Sequence, residues 1–221
     1  MAEMTSTRNL LAYGIRVIRT GAFVDTTRDP ILTMLSIGVE KLYKLTLGLA
    51  ALDRYQAWPT TAEMKSRGHK LVEMHEAVIG ELRARTADKS VYVRSLLAEV
   101  EEDRVVRPLI EALDLYGCAG RFYYLDLLGE DQQQWASPDE SWQKIETAAL
   151  TNSKVAAYAA YAADVGDNEA WAEFRGAVNE RVAAAIERLW TMIAVCGRNH
   201  ALGESGGVFG FEVHPDAVGR Q

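Results

Sequence analysis

Arg198, Asn199 and His200 place the most reactive pairing of this sequence within three residues. Histidine is a base whose ordinary pKa lies near neutrality, and arginine is a fixed cation suited to a developing phosphorane charge. Together they could cleave RNA through its 2′-hydroxyl, with His200 as the base and Arg198 stabilising charge. On a continuous helix, residues two apart point to opposite faces; in a loop after Gly197 they can converge. The competing reading of the same residues is a helix C-terminus capped by Arg198 and Asn199.

His69 and Glu73 stand four residues apart, on one helix face, with Glu76 a turn further. Glu40, upstream, can approach from the preceding helix. Di-metal carboxylate bundles need Glu-x-x-His on two helices, and here no His follows a Glu by three, so neither a metal nor a cofactor is expected. A buried His69 bonded to Glu40 or to a backbone carbonyl is the expected arrangement. Arg121 beside Phe122-Tyr123-Tyr124 could stack nucleic-acid bases. Adjacent aromatics on a helix diverge, however, and a core or interface role fits them better. Gly117-x-x-Gly120 lacks the strand-loop-helix setting of a phosphate cradle, and there is no Gly-x-Ser-x-Gly, P-loop or His-Glu-x-x-His.

The elements holding these residues must come from 221 residues, 48% hydrophobic and 25% charged, enough for a packed core without disulfide or metal staples. A net charge of −7 excludes a global basic field that would recruit nucleic acid. The local surplus of Arg8, Arg16, Arg19 and Arg28 over Glu3 and Asp25 reads as a solvated helix face. Cys118 and Cys196 sit among apolar residues without metal-ligand spacing, which fits packing in a reducing compartment. The longest apolar run, Val155 to Ala163, is far short of a membrane span, and no membrane partner is expected. Met1-Ala2-Glu3-Met4-Thr5 lacks signal-peptide character, so the expected location is cytoplasmic.

Periodicity is helical nearly everywhere. Asp29-Pro30 reads as an N-cap and first helical residue. The helix after it carries Ile31, Leu35, Val39, Leu42, Leu45 and Leu49 on one face and stops near Gln56, before Trp58-Pro59. Thr60-Thr61-Ala62-Glu63 is a capping box, opening a helix with Met64, Leu71, Met74, Val78 and Leu82. Gly68 marks either a junction of two helices or a close neighbour. A third stretch runs from Ser90 until Glu101–Arg104 interrupt it, and Pro108 demands a kink or a fresh start. Gly117-Cys118-Ala119-Gly120 marks a further break. Residues 129–137 form a linker, and Ser137-Pro138-Asp139-Glu140 a second capping box opening an alanine-rich helix to about Ala163, packed tightly against a partner. Asp167 caps the next helix, whose stripe from Trp171 to Ile193 ends near Gly197. Residues 201–221 read as a Gly-rich tail, a loop or flexible end with a short strand at Val208–Val213. The prediction is all-α: an antiparallel bundle of five to seven helices in one domain over 1–200, with a subdivision possible at the linker.

Glu40-Lys41-x-x-Lys44 in one helix, then Trp58-Pro59, then His69-x-Leu71 in the next, resembles the HEPN superfamily over residues 30–85. That resemblance implies an antiparallel helical bundle, a homodimer, and in many members a metal-independent endoribonuclease of defence or toxin–antitoxin systems. It places Glu40, Lys44, His69, Asn199 and Arg121 as candidate binding residues. The family's nuclease motif is an Arg followed, after four to six residues, by a His. None of His69, His75, His200 and His214 has an Arg at that distance; Arg67 precedes His75 by eight, and Arg198-Asn199-His200 is too short. The leading expectation is therefore a HEPN-like binding component without an intact nuclease motif. RNA or a nucleotide is a candidate ligand, and an antitoxin or nucleotidyltransferase a candidate partner. The rivals are an endoribonuclease with a rearranged site at Arg198 and His200, and an unrelated helical interaction protein.

Overall fold

Side-chain caps fix where many of the helices begin. In the computed structural model, which describes residues 1–20, 23, 25–129 and 134–219, no strand occurs among the described residues. α1 is Ala2–Ile18 and α2 Asp25–Tyr55. α3, Thr61–Ser66, opens on the expected capping box of Thr60 and Glu63. α4 is Leu71–Thr86, and α5, Val91–Glu102, starts at an N-cap where Ser90 accepts from the Val93 amide. α6 is Val106–Cys118, followed by a 3₁₀ turn and the one-turn α7, Tyr123–Asp126. α8, Pro138–Ala149, has the predicted box of Ser137 and Glu140. α9 is Ser153–Val165; α10, Asn168–Arg198, is capped by Asp167; and α11 is Glu204–Val213. The all-α prediction holds, with eleven α-helices among the described residues rather than five to seven. Part of the linker, residues 130–133, lies outside them.

Three local expectations are corrected. α2 begins at Asp25, with Pro30 inside it; Asp29 is no cap, and its carboxylate accepts instead from the Tyr116 hydroxyl at 2.7 Å. The alanine-rich stretch is two helices, because the Asn152 side chain takes the amides of Lys154 and Val155 and starts a new one. α9 packs on α10 as expected, but it buries only Val155 and Ala162, so most of its alanine surface faces outward. Residues 204–213 form a helix, not a strand or loose end, and bury Phe209 and Val213. Its glycines are an approach face: a Cβ at Gly210 would overlap the Arg198 amide nitrogen and the Ala194 carbonyl oxygen of α10. At Gly68 the first of the two predicted alternatives holds. Its φ of +54° and open surroundings mark a junction between α3 and α4.

α1 lies antiparallel on α2, with Gly14 against Leu35 and Gly38 against Leu11. The chain then doubles back from Tyr55, laying the Trp58 ring on Gly48. That return reverses it once more, so α4 runs alongside α2 in the same direction. Glu40 meets His69, Tyr43 meets His75, and Arg85 reaches the carbonyl of Ala50 and the carboxylate of Asp53. This corrects the antiparallel pairing expected of these two helices; the fifteen residues between them, 56–70, are what allow it. α6 returns antiparallel to α4, with Asp114 at Val72 and Arg107 at Glu76. α10 carries α11 folded back on it, and the Trp190 indole donates to the Val213 carbonyl. One continuous apolar core takes side chains from both sides of residues 129–137, with Trp142, Trp190, Tyr43, Tyr116 and Phe209 fully buried in it.

Candidate functional site

The residues singled out by their chemistry fall into separate groups. Glu40 projects from the middle of α2 and accepts two hydrogen bonds, from Lys44 Nζ and His69 Nδ1, each at 2.7 Å. Lys44 is one turn along the same helix, and His69 is delivered by the α3–α4 junction. Burial pushes the Glu40 carboxyl up, but the bonds from Lys44 and His69 outweigh it and hold the group below its ordinary value. His69 does meet Glu40, yet it is not buried: about half of its side chain faces solvent. With Nδ1 held by a carboxylate, Nε2 is the nitrogen left for an outside partner. The Cys118 thiol at the end of α6 points to the His69 carbonyl, 3.8 Å away. It is exposed, contrary to the packing role expected for it, and burial of its sulfur with nearby Asp114 and Glu40 raises its pKa, disfavouring a thiolate nucleophile. Cys196 is buried, as expected.

Arg198, Asn199 and His200 lie at the opposite end of α2. The chain there touches Asp53, thirteen residues and about 20 Å along the helix from Glu40. Arg198 Nε donates to the Gly210 carbonyl at 3.2 Å, and its guanidinium stacks 4.8 Å from the centre of the Phe211 ring. Asn199 donates to the Val195 carbonyl at 2.8 Å, closing the end of α10 as the capping reading expects. His200 adopts a left-handed backbone, φ +56°, which turns its ring over Gly207, with Glu204 3.8 Å from Nδ1. Both side chains therefore lie along one face of α11, about a turn apart, each against its own contacts.

Arg121 forms part of neither group. Its Nε is shut off from solvent with no hydrogen-bond partner among the described residues. Beside it, Phe122 and Tyr124 are exposed rather than core residues, and the Tyr124 hydroxyl donates to Asp139 at 2.6 Å. No cluster of three or more His, Cys, Asp or Glu among the described residues is arranged to hold a metal.

A further concavity involves none of these residues. It is a cleft of about 1000 Å³ between the end of α1, the start of α2, α8 and the first half of α10. Phe23, Leu150, Trp171 and Phe174 supply apolar surface; Arg19, Arg28, Glu146 and Arg175 supply charge. Trp171 and Phe174 meet edge to face, with ring centres 5.9 Å apart. The sequence signal was available in part: Trp171 and Phe174 belong to the stripe read as core, but that stripe extends past the point where other helices cover it. Nothing local marked Glu146 or Arg175. No family model, curated protein or solved structure matches this chain.

Proposed function

We propose that this protein works by binding rather than by catalysis, as a HEPN-like component of a defence or toxin–antitoxin-like system. One observation carries the non-catalytic part. The Arg198 guanidinium, the cation that RNA cleavage through the 2′-hydroxyl would need, is engaged by the Gly210 carbonyl and the Phe211 ring. Support for the kinship is the 2.7 Å contact that joins the Glu40 helix to the His69 element. The parallel run of α2 and α4 favours the rival reading of an unrelated helical interaction protein. The shared α11 face under Arg198 and His200 favours a rearranged endoribonuclease.

Incubation of single-stranded and hairpin RNA with the wild type, Arg198→Ala and His200→Ala separates the nuclease reading from the two non-catalytic ones. Binding without catalysis predicts three identical traces with intact RNA. Degradation by the wild type that disappears in His200→Ala would establish the nuclease instead. Light scattering after size exclusion tests the homodimer that the kinship implies; a monomer at tens of micromolar would count against it.

A further inference from the structure

Charge pairing in the cleft between α1, α8 and α10 is complete except at two places. Arg19 is held by Glu180 and Glu187, and Arg28 by Asp25 and Asp139. Glu146, on α8, makes no ion pair among the described residues; nor does Arg175, on α10. Glu146 is half-buried, and burial raises its carboxyl above the ordinary value against the pull of Arg28 and the Trp142 indole nearby. Arg175 is exposed at the rim. Leu150, Trp171 and Phe174 line the space with them.

A half-buried carboxylate whose nearest cation, Arg28, is already held by Asp25 and Asp139 is only partly compensated, and a second cation placed beside it recovers much of the remaining cost. A simple amine would leave Arg175 unanswered, and a simple anion would leave Glu146 so. An apolar surface with aromatic rings adds the preference for a hydrophobic body. We propose that the cleft binds a small zwitterion with an apolar body, its ammonium on Glu146, its carboxylate on Arg175 and its apolar part against Trp171 and Phe174. The volume suits a molecule of short-peptide size. The site is independent of the RNA reading, so failure of either leaves the other standing.

The dipeptide leucyl-phenylalanine supplies the probe in three forms: both ends free, N-acetylated, and C-amidated. Titration calorimetry and thermal upshift of the full chain read the binding. The free form should bind, and each blocked form about tenfold more weakly, the effect of one charge-assisted hydrogen bond. In Glu146→Gln the free and acetylated forms should bind alike; in Arg175→Gln the free and amidated forms should. Equal binding of all three forms to the wild type overturns the proposal, as does the absence of both heat and upshift with the free form at millimolar concentration. The comparison among probes on the wild type needs no variant to fold.

Discussion

Tyr43 and His75 show what one buried pair does to stability. Tyr43 is wholly buried, and its hydroxyl shares a 2.7 Å hydrogen bond with His75 Nδ1. Burial pushes the imidazole down to about 4, and the neighbouring Arg107 adds to the shift. In the unfolded chain the same ring titrates near 6.5. Between those values the unfolded state binds the proton and the folded state does not. Its contribution to stability is therefore complete above about pH 6.5 and is lost as pH falls towards 4. The loss should amount to roughly 3 kcal/mol, read as a falling urea midpoint between pH 7 and 4.5. His75→Gln should flatten that part of the profile; an unchanged slope would remove His75 as its source.

Helix α11 shows how glycine can be misread at the scale of an element. Three of its ten residues are Gly206, Gly207 and Gly210, each weakening an isolated helix by about 1 kcal/mol relative to alanine. Buried Phe209 and Val213, and the close seat on α10, outweigh that. Gly210→Ala would drive a methyl group into backbone atoms of α10 and should destabilise by about 3 kcal/mol. Gly80→Ala, on the α4 surface with open space around it, should stabilise by about 0.5–1 kcal/mol. Denaturant melts of the two variants check both signs. The contrast also explains what the sequence made legible. Caps at Thr60, Ser137 and Asp167 are local signals, satisfied within three residues, and each was readable. The meeting of Glu40 with His69 was readable because both lie on predicted helical elements that follow one another in the chain. The direction of α4, the seat of α11 and the charges in the cleft depend on contacts between distant segments, which spacing does not encode.

Whole-molecule order depends on α10, which at 31 residues is about 45 Å long and packs on α1, α5, α8, α9 and α11. Its tightest polar tie is to Asp103, at the break between α5 and α6. That carboxylate is almost fully buried, accepts the Val105 amide at 2.9 Å, and takes both Arg181 and Arg188 from α10. Removing one partner from a buried ion cluster strands the others, here Arg181 and an Arg188 left with Glu99 at 3.9 Å. Asp103→Ala should therefore cost about 3–5 kcal/mol. Glu76→Ala, which breaks an exposed pair with Arg107, should cost less than about 1 kcal/mol. Because the apolar core is continuous across residues 129–137, the loss should be felt everywhere at once. Far-ultraviolet circular dichroism reports helices throughout the chain, while tryptophan fluorescence weights the part after the linker, which holds Trp142, Trp171 and Trp190. In Asp103→Ala the two midpoints should fall together. Midpoints that separate would mean that the halves on either side of the linker unfold independently and that α10 does not unite them.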